Sequence, residues 1–255
     1  MASCLVGSEM CIRDRGRAGL NSNDDAINNT AVGYASLHAN TAGERNTVMG
    51  RNAGFEITTG DNNTLIGYNT QGPLTGNRNT AVGAGAMQDA DAGSTSGGSE
   101  DNIFMGYDAG GGTWADAASN QNVAIGNLSM DDSLNGAIGN TALGYYTLSG
   151  TVTADYNTAI GYSAGRDNNT GGYNVYIGRE VALANRSGSE NVAIGDQSMY
   201  NSRGGYNNTL VGKYTGRDMT HAYANAFFGH VAGEHVTTGY SNTLIGTGAG
   251  EEGSG

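Results

Sequence analysis

A five-residue phrase recurs thirteen times along the chain: Asn, a mostly β-branched residue, two apolar residues and Gly. The Asn residues that begin it are Asn29, Asn46, Asn63, Asn79, Asn102, Asn122, Asn140, Asn157, Asn174, Asn191, Asn208, Asn225 and Asn242. Their sequence spacings are 17, 17, 16, 23, 20 and 18, followed by six spacings of 17. Units this short cannot bury their own apolar residues and must stack on their neighbours. The period therefore predicts a repeat architecture.

Each unit is numbered from its Asn as position 0, and its pattern is that of a short strand followed by a corner. Position 1 is β-branched in twelve of thirteen units, and positions 2 and 3 are apolar in all of them, which favours strand. Because both strand faces are apolar, we predict that both are buried, with positions 1 and 3 in the core and position 2 against sister chains. Position 4 is always Gly, a residue typical of a bend with positive φ. Examples are Gly33, Gly50, Gly67, Gly161, Gly195 and Gly246.

One unit then corresponds to one coil of a parallel β-solenoid. We predict an all-β solenoid of about thirteen coils over residues 16–250, with residues 251–255 as a flexible end. The recurring Asn has two structural explanations, a ladder of amide hydrogen bonds between coils or a left-handed turn. A row of Asn that binds sugars is the functional alternative. A residue repeated at every coil usually serves the turn, so we favour a structural role.

Composition excludes several classes of partner. Leu, Ile, Val and Phe supply 39 of the 255 residues, a fraction typical of disorder, but their periodic placement argues for a folded array. The net charge of −12 disfavours nucleic acid and anionic membranes. No apolar run is long enough to span a membrane, and no signal peptide opens the chain. We expect no insertion of this segment into a membrane.

The first fifteen residues lie outside the repeat pattern. Residues 3–15, SCLVGSEMCIRDR, resemble a translated sequencing adapter, and they contain both cysteines, Cys4 and Cys11. We interpret residues 1–15 as an artefact or a disordered tail. The repeats themselves contain no cysteine, so the redox compartment is not indicated.

Several of the repeats resemble a known family. NNTAVGY (28–34), NNTLIGY (62–68), NVAIG (122–126 and 191–195) and NTAIGYSAG (157–165) are similar to the head repeats of trimeric autotransporter adhesins. They are equally similar to repeats in tail fibres of marine phages. The resemblance covers about residues 16–250 and implies a left-handed β-roll and a homotrimer.

The period is lengthened by several residues in one region only. The longest two spacings, 23 and 20, predict loop insertions at about 87–101 and 109–121. Loops carry binding more often than stacked coils do, so Asp89, Asp91 and Trp114 are possible ligand contacts. Trp114 is equally well explained as a cap over local apolar surface. The loop carboxylates are better explained as solvated than as a cation site, because the calcium-binding repeat GGxGxDxUx is absent.

The sequence predicts no catalytic, cofactor-binding or metal-binding residue. His221, His230 and His235 lie close in sequence but at variable positions of the repeat. No nucleophile elbow, Walker loop, HExxH or CxxC motif occurs. Tyrosines share position 5 in five units and predict a stacked ladder or, alternatively, a sugar-binding stripe. They are Tyr34, Tyr68, Tyr107, Tyr145 and Tyr162.

These features favour a non-enzymatic structural or adhesive fibre segment. The expected partners are two further copies of the chain and a host receptor, glycan or extracellular matrix, and the expected location is a bacterial cell surface. A phage tail-fibre shaft is the alternative within the same class. Ice binding is an alternative of another class, because Thr occupies position 1 in eight units. That alternative requires an exposed Thr row, whereas the apolar pattern predicts that the row is buried.

Overall fold

The computed structural model describes residues 27–72, 75–90, 96–132, 134–151 and 153–251. The tail predicted over residues 1–15, the boundary at residue 16, Asp91 and residues 252–255 lie outside these ranges. The chain divides into two compact units. The first comprises Met1–Leu128 with Asp132–Ala137, and the second comprises Ser129–Asp131 with Ile138–Gly255.

The first unit contains six parallel strands and one 3-10 helix, Ser96–Gly98. Consecutive strands pair with equivalent repeat positions side by side, as in Thr30 opposite Thr47. The strands are β1 Thr30–Val32, β2 Thr47–Met49, β3 Thr64–Ile66, β4 Thr80–Val82, β5 Ile103–Met105 and β6 Val123–Ile125.

The second unit contains seven parallel strands, which also pair in sequence order and in the register of the repeat. They are β7 Thr141–Leu143, β8 Thr158–Ile160, β9 Val175–Ile177, β10 Val192–Ile194, β11 Thr209–Val211, β12 Ala226–Phe228 and β13 Thr243–Ile245. Thirteen parallel strands, one in each repeat, confirm the predicted parallel β-solenoid and its period.

Two backbone positions turn the chain at the ends of each strand. Position 4 is Gly with φ between 120° and 148° in every unit. A Cβ added to Gly161 would lie 2.3 Å from the carbonyl oxygen of Gly178 in the next coil, so both the φ and the close approach require Gly. The residue before each Asn is left-handed, with φ between 54° and 69°, and only one of these thirteen residues, Gly139, is Gly.

The interior of the coil lies on the side opposite to the one predicted. Position 2 is buried in twelve strands and partly buried in β13, whereas positions 1 and 3 are exposed or half-buried throughout. The prediction that positions 1 and 3 form the core was therefore wrong. Ile160 and Ile194, expected inside, lie on the outer face of the sheet. Because both faces are apolar, strand alternation alone could not distinguish inside from outside.

Side-chain size at position 2 is matched by position 8, at the corner across the interior. In five of the seven units with a large position 2, position 8 is Gly: Val48 with Gly54, Phe104 with Gly110, Leu210 with Gly216, Phe227 with Gly233 and Leu244 with Gly250. The exceptions are Leu65 with Gln71 and Tyr176 with Ala182. Where position 2 is Ala, position 8 is usually Leu or Met: Ala31 with Leu37, Ala81 with Met87, Ala124 with Met130, Ala142 with Leu148 and Ala193 with Met199. A Cβ on Gly110 would lie 2.5 Å from the Phe104 ring. In these ten coils the two positions together thus fill a nearly constant volume.

The recurring Asn side chains form an amide ladder in each unit, and all of them except Asn242 in the last coil are buried. In one step, the Oδ1 atom of Asn157 accepts hydrogen bonds from the backbone N–H and the Nδ2 atom of Asn174, both at 3.0 Å. The Nδ2 atom of Asn174 also donates to the carbonyl oxygen of Gly188 at 2.8 Å. The geometry recurs through Asn29 to Asn122 and through Asn140 to Asn242. Both lone-pair sites of the oxygen are used, and these side chains face the interior rather than a ligand.

Candidate interaction surfaces

The outer face of the sheet carries an apolar column, and this is the least expected surface of the molecule. Position 3 is a large apolar residue in every strand, and its exposed fraction is 46% at Met49, 44% at Leu143 and 73% at Ile245 in the last strand. Within each unit these residues follow one another from strand to strand, about 4.8 Å apart. A contiguous exposed apolar surface is typical of an interface in a folded protein. Sequence reasoning missed it because it placed position 3 in the core.

Position 1 forms a second column beside it. Thr occupies this column in the first four strands, where Thr30 and Thr47 are exposed and Thr64 and Thr80 are half-buried. In the second unit, Thr is interspersed with Val and Ala along the same column. The outer face is therefore a pair of columns, one rich in hydroxyl and methyl groups and one entirely apolar.

The position-5 tyrosines are exposed and stack where they are neighbours. The rings of Tyr145 and Tyr162 are stacked with centroids 5.6 Å apart. The guanidinium group of Arg51 lies between Tyr34 and Tyr68, 5.8 Å from each ring centroid. For these four tyrosines, a neighbouring group covers one ring face and makes that face less accessible to a sugar ring than in an isolated tyrosine.

A second tyrosine column lies two residues before the Asn in the last three repeats. Tyr206, Tyr223 and Tyr240 stack with centroid spacings of 5.0 and 5.1 Å and with ring planes within 5° of parallel. These three tyrosines were not predicted as a column, although their recurrence with the period of the repeat was the available signal. Stacked faces of this kind leave mainly ring edges at the surface.

Charged side chains on the surface are paired between neighbouring coils. Asp196 accepts a hydrogen bond from Arg179 at 2.8 Å and lies 3.6 Å from the Nζ atom of Lys213. Arg78 bonds both Glu100 and Asp101, and this guanidinium holds the pKa of the Asp101 carboxyl below its usual value. Exposed ion pairs of this kind contribute little stability each.

Of the three residues predicted as ligand contacts in the insertions, the structure describes Trp114 and Asp89, which differ in exposure. Trp114 is fully buried, its ring packs edge-on to Phe104 with centroids 5.7 Å apart, and its indole N–H donates to the carbonyl of Gly110 at 3.0 Å. This placement favours the alternative interpretation of Trp114, a cap over local apolar surface. Asp89 is exposed.

Two of the histidines that are close in sequence have separate surroundings. The Nδ1 atom of His235 is 3.0 Å from the Oδ2 atom of Asp218, whereas His230 faces Tyr214 with ring centroids 6.4 Å apart. Across the ranges that the structure describes, no group of three or more His, Cys, Asp or Glu side chains is arranged to hold a metal ion. The same described residues include no helix long and apolar enough to cross a membrane.

Comparison with protein-family models, with curated proteins and with solved structures gave no match for this chain. The surfaces described above are therefore interpreted from their own chemistry.

Proposed function

We propose that the chain is a segment of a non-enzymatic, extracellular fibre in which the outer sheet face packs against two further copies of the same chain. The observation that supports this proposal most is the exposed apolar column at position 3. An exposed column of this kind is unfavourable in water and becomes favourable when another apolar surface covers it.

A second and third copy are the partners that best fit this column. A covering surface must present apolar side chains at the strand spacing of about 4.8 Å, and an identical solenoid presents them at that spacing. Closed rotational symmetry brings the same column of each chain to a common axis. The number three is proposed from the similarity of NTAIGYSAG (157–165) and its counterparts to adhesin head repeats.

Assembly is tested by light scattering on residues 16–255, for which we expect a trimer at micromolar concentration. Ile194→Asp places a charge on the outer column, so it should shift the protein to monomer while the circular dichroism signal of the strands is kept. Ala193→Asp, one residue away, buries a carboxylate inside the coil and should cost several kcal/mol of folding free energy. A wild-type chain that is a stable, folded monomer would contradict the assembly proposal.

The fibre is proposed to hold adhesive surface away from its anchor, on a bacterial cell or, alternatively, on a virion tail fibre. Beads coated with the trimer distinguish the two settings. Retention on immobilised extracellular matrix or host cells supports the adhesin, and retention on bacterial cells supports the tail fibre. Equal retention of beads coated with the Ile194→Asp protein would argue against a role for the assembled fibre.

Ice binding is a second candidate, since the Thr residues of position 1, predicted to lie in the core, lie on the outer face of the sheet, where Thr30 and Thr47 are exposed. Four successive Thr in the first unit offer regularly spaced methyl and hydroxyl groups on a parallel sheet. The neighbouring column is apolar and lacks the hydroxyls of a second Thr row. An assay of ice recrystallisation distinguishes ice binding from the fibre. Inhibition of recrystallisation that is lost in the Thr47→Lys variant supports ice binding. Absence of inhibition by a trimeric protein supports the fibre.

A further inference from the structure

The third repeat differs from all others at its corner. The spacing from Asn63 to Asn79 is 16, one fewer than the usual 17. Its position 8 is Gln71, whereas the other twelve units have an apolar residue or Gly there. Those twelve residues all have positive φ, and Gln71 does not. Departures from a local rule in an otherwise regular array are expected at functional sites.

A groove of about 220 Å³ opens beside this corner. Amide side chains from three successive coils line it: Asn52, Asn69, Gln71 and Gln88. The Nδ2 atom of Asn52 donates to the Oδ1 atom of Asn69 at 3.1 Å. The Oε1 atom of Gln71 is buried and accepts no hydrogen bond. A buried acceptor without a donor is destabilising, so we expect the Gln71 amide to turn toward the groove when a ligand hydroxyl group is present to satisfy it.

The remaining walls supply an aromatic ring and two carboxylates. Phe55 is half-buried and lines the groove, and its ring is held by stacking on His38 with centroids 4.9 Å apart. Glu56 and Asp89 are exposed at the same groove and disfavour phosphate, sulfate or carboxylate groups there. Amides and carboxylates that bond hydroxyl groups, beside an aromatic ring that packs against C–H groups, match the chemistry of a neutral sugar.

The size of the groove sets how much of a glycan it holds. Sites that enclose drug-sized ligands have volumes of about 300–1,000 Å³, so this smaller groove accommodates one ring rather than an oligosaccharide. We propose that it binds one neutral sugar residue of a surface glycan. This inference deepens the adhesive function proposed above and rests on that function for the source of the glycan.

Saturation-transfer NMR on the full chain tests the inference with methyl glycosides of glucose, galactose, mannose and N-acetylglucosamine as probes. We expect saturation transfer to at least one probe. Because the ligand is small, its Kd should lie in the millimolar range. Gln71→Met keeps the side-chain length and restores an apolar residue of the kind found in other coils. It should weaken binding at least tenfold. Gln88→Ala changes a half-buried side chain and should also weaken binding.

Gln121→Ala, an exposed amide of the same unit outside the groove, is the matched control and should leave binding unchanged. Absence of transfer to all four probes would overturn the inference, as would undiminished binding in a folded Gln71→Met, Gln88→Ala double variant. A trimer that adheres but binds no probe would contradict only the proposal that the groove binds sugar. A monomer that binds a probe through Gln71 would contradict only the proposal that the chain assembles into a fibre.

Discussion

At the scale of single residues, the fold depends on positions where backbone conformation and packing both require the same residue type. Position 4 combines a φ that favours Gly with a carbonyl from the next coil where a Cβ would lie. The residue before each Asn adopts left-handed φ with side chains as large as Tyr156 and Tyr173. Left-handed φ costs a non-Gly residue about 1–2 kcal/mol. The hydrogen bonds between coils therefore have to offset a conformational cost in every repeat.

Gly161→Ala should destabilise the second unit by about 3 kcal/mol or more, because strain in φ adds to a contact of 2.3 Å with the carbonyl oxygen of Gly178. Gly98→Ala is the control, since its Cβ would meet only the Thr75 hydroxyl at 3.9 Å and its φ is unstrained. Its effect should stay within about 0.5 kcal/mol. Chemical denaturation measures both, and similar losses would show that position 4 is not specifically a Gly site.

At the scale of one coil, core volume is shared between the strand and the corner. The pair at positions 2 and 8 is large with small or small with large in most units, as with Leu210 and Gly216 or Ala193 and Met199. Ala159 with Gly165 is an exception that neighbouring coils fill, because a Cβ on Gly165 would lie 2.7 Å from Tyr176. Burial raises the pKa of the Tyr176 phenol, whose hydroxyl is bonded by Asn185. The interior is thus packed across coils as well as within them.

A size exchange in the tenth repeat tests this packing. Ala193→Leu alone should overpack the coil by about 1–3 kcal/mol, and Met199→Gly alone should leave a cavity that costs about 2–5 kcal/mol. The double variant reproduces the Leu210 and Gly216 pair of the next coil and should recover much of the loss. A coupling energy above about 1 kcal/mol in thermal or denaturant unfolding is expected. Additive effects would mean that the two positions do not share a volume.

At the scale of the whole molecule, each of the two units is a stack in which a coil contacts its neighbours through sheet pairing and the amide ladder. Stability in such an array is close to a sum of coil terms and nearest-neighbour terms. Nothing in this scheme depends on contacts between distant coils. Removal of one complete coil should therefore be tolerated, whereas loss of register should not.

Deletion of residues 191–207 joins Glu190 to Asn208 and restores the repeat on both sides of the cut. It should lower stability by about one coil term and leave the strand signal and the assembly intact. Deletion of residues 191–198 removes eight residues, displaces strands and glycines from register, and should unfold the surrounding coils. Circular dichroism with thermal melting compares the two deletions. Equal damage from both would contradict the one-repeat, one-coil assignment.

The sequence by itself determined the period, the strand in each repeat and the glycine corners, since β-branched residues, apolar residues and Gly each have local backbone preferences. The short spacing of the third repeat is also visible in the sequence, but no prediction was drawn from it, and only the structure shows that Gln71 lines a groove there. The tertiary structure alone decided which strand face is inside, because both faces are apolar and only the closure of the coil determines which of them points inward. The size match between positions 2 and 8 becomes informative once their side chains are known to meet. Trp114 was ambiguous for the same reason: its burial depends on the Phe104 ring that the closed coil places beneath it.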